Sequence, residues 1–199
     1  MDVFEAMESC RAMRYLKPDP VPDELIEKVI WGATRASNPG NSQAWEFLVV
    51  RDPERKAKLQ AAVGDPMLAA LGDTPDAELD PGTRHVVQGA RNLAQTLGQA
   101  PVIILVCGRN VYPPGEPNEL FVWSALYPAS QNLILAARAL GLGTTFTTVH
   151  FMDEAAVREI LGIPADVYIG TVIPMGWPAR DFGPVRRKDV AGLVHHERW

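Results

Sequence analysis

Two arginines stand three residues apart near the start of the chain, Arg11 and Arg14. They lie at the end of the expected first helix, where side chains on a helical turn project to the same side and can converge on a single anion. A phosphate is the natural fit, because a planar guanidinium donates paired hydrogen bonds to its oxygens. On spacing alone, two solvated surface arginines is the stronger alternative, so the pair needs further support. Other reactive side chains offer little. Cys10 and Cys107 are far apart with no CxxC spacing. His85, His150, His195 and His196 have no carboxylate or second histidine at ligand spacing, apart from the adjacent pair near the C-terminus. We expect no metal. There is no catalytic triad and no GxGxxG opening a helix, so any nucleotide-like group must be held without a Rossmann turn. Trp45, Trp123 and Tyr127 lie among apolar residues and read first as core or subunit contacts. Trp123 and Tyr127, which follow an irregular loop, are kept as candidate substrate contacts.

The elements that must position these groups follow from periodicity and punctuation. Residues 2–10 place Val3, Ala6, Met7 and Cys10 on one helical face, with Asp2 and Glu5 spaced as a helix-start pair. A proline-rich connector, 17–22, leads to an amphipathic helix from Asp23 to Thr34. A loop at 37–41 precedes a strand at 45–50, and Asp52-Pro53 opens a helix to about Val63. Gly64 to Thr83, broken by glycines, prolines and acidic residues, is expected to be a mobile segment or lid. The continuous apolar run 101–106 suits a strand covered on both faces, and Trp123 to Leu140 suits a helix buried all round, ended by Gly141-Leu142-Gly143. Thr144 to His150 is loop or strand, Asp153 caps a helix to Leu161, and Asp166 to Pro174 is a strand. Gly176 to Trp199 reads as an extended arm carrying cations. Helices and strands that do not alternate strictly predict one α+β domain over 1–199, a mixed sheet packed with helices.

The bulk numbers set bounds. The 199 residues suit a single core, and 47% apolar with 22% charged residues is ordinary for a globular chain. A net charge of -5, with the basic residues scattered, argues against a nucleic-acid partner. No apolar run is long enough for a bilayer, and the acidic start Met1-Asp2-Val3-Phe4-Glu5 is unlike a signal peptide, so the expectation is a cytoplasmic protein with no membrane partner.

Four segments then resemble blocks of the nitroreductase family, in the family's order. Cys10 to Pro22 is similar to its Arg-Arg-Ser-x-Arg opening, and Ala36 to Phe47 to its Ala-Pro-Ser-x-x-Asn-x-Gln-Pro-Trp loop. Ala139 to Thr144 and Arg186 to Val190 resemble two later blocks. The resemblance implies an FMN-binding α+β homodimer that carries hydride from NADH or NADPH to a small acceptor such as a nitroaromatic or quinone, with flavin N5 and no catalytic side chain at its centre. Carried over by position, Arg11, Arg14, the Ala12 backbone and Arg187 would hold the FMN phosphate. Asn38 and Asn41 would serve the flavin or ribityl chain, against a turn role. Phe146, Thr147 and Thr148 would lie beside the ring, against strand pairing. The sequence departs from the pattern at Cys10 and Ala12, where the family has arginine and serine, and at Ser37 and Ala44, where it has prolines. Reductive dehalogenation or reduction of an activated C=C bond on the same fold is an alternative, as is a flavin-binding module without turnover.

Overall fold

The computed structural model describes residues 1–73 and 75–199. At its centre is the apolar run expected to lie mid-sheet. Strand β2, Val102–Arg109, pairs with β1, Trp45–Val50, on one side and with β4, Val167–Gly176, on the other. The short β3, Gly143–Thr144, extends the far edge, giving the order β1-β2-β4-β3. The α+β expectation holds. In place of a mixed sheet, every pairing among the described residues is antiparallel.

Alternate residues of β2 feed two separate cores. Val102, Ile104 and Val106 join Val29, Ala33, Leu126 and Leu133 beneath helices α2, Asp23–Ala33, and α6, Glu119–Ala139. Ile103, Leu105 and Cys107 join Leu59, Leu93 and Val157 beneath α3, Pro53–Leu59, α5, Pro81–Thr96, and α7, Glu154–Leu161. A strand covered on both faces has no reason to alternate with polar residues, which explains the unbroken run. Burial pushes the Cys107 thiol up to about 12, so it stays a protonated core group.

One packing detail anchors α6. The register of β2 against β4 slips between Val106 and Cys107, leaving Gly170 as the extra residue of a bulge. A Cβ at Gly170 would lie 2.9 Å from the Leu126 Cβ, and one at Gly108 2.8 Å from a Leu126 methyl. Leu126, 1% exposed, is therefore seated in a socket that two glycines on neighbouring strands leave open. The expectation of a helix buried all round needs correction. In the single chain Leu120, Ser124, Tyr127 and Gln131 are exposed, and their spacing makes one stripe along α6.

The first helix, α1, Val3–Ser9, starts on the expected capping box, Glu5 N–H to Asp2 at 2.9 Å and Asp2 N–H to Glu5 at 2.8 Å. It stops at Ser9, so Arg11 and Arg14 are not on a helical turn. Tertiary hydrogen bonds explain the stop: the N–H groups of Met13 and Lys17 donate to Thr144 and Trp177 at 2.8 Å, and Ala179 donates to Tyr15 at 2.9 Å. These bonds draw residues 13–17 into an extended path between β3 and the start of the arm. Of the expected apolar face only Ala6 is buried; Val3 and Met7 are exposed.

The 64–83 segment is more ordered than its composition suggests. A π-helical turn, Gln60–Gly64, runs into α4, Asp65–Ala70, and a short turn at Asp76–Glu78 precedes α5. Arg91 pairs with Asp76 at 2.8 Å and donates to the Gly72 carbonyl at 3.0 Å, while Gln88 donates to Asp76 at 2.6 Å, fastening the described part to α5. Thr74 lies outside the described residues. The arm after β4 has no α-helix among them, as expected, and only a short 3-10 turn, Val190–Leu193. No helix of the described residues is long and apolar enough to cross a membrane.

His150 is a core group with a pH consequence. It is fully buried, with the Ile169 backbone as the polar group beside its ring. Burial pushes its imidazole below the ordinary 6.5, opposed by Glu154 and the Ile169 backbone and reinforced by Arg158. Below that pH the unfolded chain binds a proton that the folded chain refuses, so stability should fall with falling pH and lie flat above it. Urea midpoints at pH 7.5 and 5.5 measure the drop; if it is unchanged in His150→Leu, the assignment to His150 fails.

Candidate functional site

A cavity of about 140 Å³ opens where the extended segment after α1, helix α5 and the start of the arm meet. Arg11, Arg14 and Arg180 line it, with His85, Ala12 and Tyr15, and Asp181 is the one carboxylate in its wall. Each cation is placed by backbone contacts already described. Met13, 4% exposed, anchors the segment between the two arginines, and Val185 N–H donates to the Glu8 carbonyl at 2.8 Å, tying the arm alongside. Helix α5 approaches closely at Gly89, where a Cβ would lie 3.1 Å from the Arg14 side chain. Asn92, one turn on, donates to the Arg14 carbonyl at 2.6 Å. Arg180 lies over the Tyr15 ring, 3.3 Å from its centroid.

Positive charge dominates the cavity wall. Partial burial pushes the Arg14 guanidinium below its usual value, an effect Tyr15 opposes and the charge of Arg11 reinforces. An anion between these groups would relieve that penalty directly. Among the described residues Arg11 forms no salt bridge; its guanidinium donates to His85 Nε2 at 3.2 Å. The Ala12 N–H has no acceptor among the described residues, consistent with a backbone donor for an anion.

Arg11, Ala12 and Arg14 thus come together as the sequence suggested, though on an irregular segment and not a helix. Arg187 does not join them. It is exposed, its guanidinium donates to the Arg186 carbonyl at 2.9 Å, and the arm brings Arg180 to the cavity in its place. The sequence reading missed Arg180 and His85. His85, Gly89 and Asn92 share a helical face at i, i+4 and i+7, a signal available once α5 is recognised. Nothing local marks Arg180.

The remaining candidates form a second group. Asn38 is committed to its turn: its Oδ1 accepts from the Gln43 N–H at 2.8 Å and the Ser42 hydroxyl at 3.5 Å. Asn41 is exposed, at φ 51°. The Thr147 hydroxyl donates to the Val172 carbonyl at 2.6 Å, so its side chain holds the sheet, as the pairing alternative had it. Thr147 is bridged to Val172 of β4, whose N–H donates to its carbonyl at 2.9 Å. Trp123 stacks on Tyr127 at 5.8 Å, and Tyr127 meets Phe146 at 5.9 Å, which joins the two substrate candidates to a ring-side candidate. Trp123 is also engaged by Glu119, to which it donates at 3.2 Å, and by Tyr168 edge-on. Met67 of α4 lines a separate open cavity of about 290 Å³ with Thr147, Thr148, Val149, Phe151 and Met152.

Fold and cavity together describe an α+β protein with helices on both faces of an antiparallel sheet and a cation-lined cavity. The model of the Nitroreductase family matches residues 8–177, and the chain belongs to that family. It is 30% identical to a protein of Thermus thermophilus named NADH dehydrogenase, over 98% of this chain and 95% of that one. It is 28% identical to a protein of Archaeoglobus fulgidus whose name pairs NADH dehydrogenase with NAD(P)H nitroreductase, over 97% and 100%. Among solved structures, oxidized iodotyrosine deiodinase bound to FMN and 3-iodo-L-tyrosine has the same fold, with a TM-score of 0.79 at 19% identity over 100% of both chains.

Proposed function

We propose that the chain is an FMN-dependent oxidoreductase that takes reducing equivalents from NADH or NADPH and passes them to a small acceptor such as a nitroaromatic or quinone, working as a homodimer. The observation that carries this reading is the cavity of Arg11, Arg14 and Arg180. Its donor set fits a phosphate monoester: three guanidinium forks and a backbone N–H face one dianion, and Asp181 alone opposes them. The names of the relatives support the nicotinamide donor, and the structure similar in fold is bound to FMN. Bound FMN supplies the redox chemistry, accepting and releasing two electrons.

The chain's own residues hold and orient. Arg11, Arg14, Arg180 and the Ala12 N–H bind the phosphate. The Thr148 N–H donates to polar atoms of the ring system, with Phe146 and Thr147 alongside. Asn41 and the Asn38 carboxamide nitrogen serve the ribityl chain. Tyr127 and Trp123 present a flat apolar face to the acceptor. Met67 beside Thr147 and Thr148 supports the 64–83 segment as a cover over that side. The stripe on α6, with Phe4, Phe146 and Leu193 also exposed, supports a second copy of the chain as the covering surface.

Purified protein should be yellow and should release FMN, and not FAD, on denaturation. A colourless chain that FMN cannot reconstitute would sink the proposal. Steady oxidation of NADH or NADPH by the flavin-loaded protein separates an enzyme from a binding module, and light scattering at monomer mass would remove the homodimer. Likeness to iodotyrosine deiodinase, also seen at 26% identity with the Danio rerio protein, favours dehalogenation as the second reading. The segment 64–83 offers carboxylates and no lysine or tyrosine to a zwitterion, which ranks it second; iodide release from 3-iodo-L-tyrosine decides.

Arg187 and Arg180 can be told apart. Position along the family pattern assigns the phosphate to Arg187, the folded cavity to Arg180. Arg180→Ala should weaken FMN binding by about tenfold, the worth of one charge-assisted hydrogen bond, and Arg187→Ala by less than about threefold. The reverse order would return the role to Arg187.

A further inference from the structure

Both main-chain polar groups of Met13 are tied to the chain at 144–145. The Met13 N–H donates to the Thr144 carbonyl at 2.8 Å, and its carbonyl accepts from the Thr145 hydroxyl at 3.0 Å. The contact is close as well as polar. A Cβ at Gly143 would lie 2.5 Å from Met13 Cγ, so the two segments meet here because position 143 has no side chain. Thr145 is 2% exposed, and its own N–H donates to the Pro174 carbonyl of β4 at 3.3 Å. A valine of the same shape would fill this space without the cost of burying a hydroxyl, so packing does not account for threonine.

The bond joins two parts of the proposed flavin site. Met13 stands between Ala12 and Arg14 of the cation-lined cavity, and Thr145 immediately precedes Phe146, Thr147 and Thr148. FMN carries its phosphate and its ring at opposite ends of a flexible ribityl chain. A protein that grips both ends gains most when the two subsites keep a fixed separation. We propose, on the reading that this chain binds FMN, that Thr145 is a positioning residue that sets this separation, acting through Met13 to clamp the segment under the phosphate to the segment beside the ring. Each segment is also held from elsewhere: Asn92 donates to the Arg14 carbonyl, and Thr147 to the Val172 carbonyl. Without the Thr145 bond each keeps its own shape, and what loosens is the register between them.

The test titrates flavin-free full chain with FMN, with riboflavin, which has the ring and no phosphate, and with inorganic phosphate, for wild type, Thr145→Val and Thr145→Ser. Valine keeps the shape and removes the donor; serine keeps the donor. Thr145→Val should bind FMN about five- to tenfold more weakly than wild type, the worth of one hydrogen bond. Riboflavin and phosphate each use one subsite, and their binding should change by less than about twofold on the same principle. Thr145→Ser should return FMN binding to within about threefold of wild type, because its hydroxyl restores the bond. Should Thr145→Val fail to fold, Thr145→Ala removes the same donor, leaves room for a water at the Met13 carbonyl, and is read in the same way. A loss for phosphate or riboflavin as large as that for FMN would overturn the proposal, since it would mark damage to one subsite and not to their spacing. Equal FMN affinity in wild type and Thr145→Val would also overturn it while leaving the FMN reading intact. Failure of wild type to bind FMN would overturn both.

Discussion

Arg14→Ala should weaken FMN binding by about ten- to a hundredfold, the equivalent of about 1.5–3 kcal/mol for hydrogen bonds to a charged group. Arg14 is the half-buried cation of the cavity, and burial is what makes its contribution large, because a desolvated guanidinium gains more from a phosphate than one already bathed in water. Its main chain is held independently, by Asn92 on its carbonyl and by the neighbouring bonds from Met13 and Ala179. The substitution should therefore leave the path of the segment intact. Removing a charge that Arg11 repels costs the flavin-free protein little, and its urea midpoint should correspond to a change within about 0.5 kcal/mol. Arg14→Lys keeps the charge but loses the planar fork, and should fall between wild type and alanine. Equal dissociation constants for all three proteins would remove the cavity as the phosphate site.

Leu126→Ala should destabilise the folded chain by about 3–5 kcal/mol, near the top of the range for such truncations. The reason lies in the socket around it. Most truncated core positions relax partly as neighbouring side chains move into the space, but here two walls are Gly108 and Gly170, which have no side chain to move. The backbone there is fixed by the ladder between β2 and β4, so the void persists. Denaturant unfolding of flavin-free protein, at matched concentration, measures it. A loss below about 1.5 kcal/mol would show that α6 can sink into the sheet and that the glycines are not a rigid seat.

How much of this could be read from the residues depended on whether the deciding forces were local. Strand β2, helix α2 and the capped helix α7 were legible because their patterns follow from burial of one face or two and from caps within a few residues. The end of α1 was not: Cys10 to Arg14 are tolerable helix formers, and what unwinds them is a set of backbone bonds to Thr144, Trp177 and the arm, all more than a hundred residues distant. Helix α5 escaped notice because its buried stripe is only Gly89, Leu93 and Ala94, a thin apolar signal behind a glycine- and proline-rich approach. With α5 unseen, His85 had no face to belong to. The cationic lining of the cavity came through from Arg11 and Arg14, whereas the presence of Arg180 there depends on where the arm crosses the first segment.

That crossing bears on how the protein is made. The cavity draws on residues 11–15, 85–89 and 180–181, and the first of these is held in shape by Trp177 and Ala179. A ribosome exposes these parts in order, so sheet and helices can collapse around β2 while the anion site is still open on one side. On the proposed reading, flavin loading waits for the arm, and a nascent chain arrested before residue 177 should be folded in part yet unable to retain flavin.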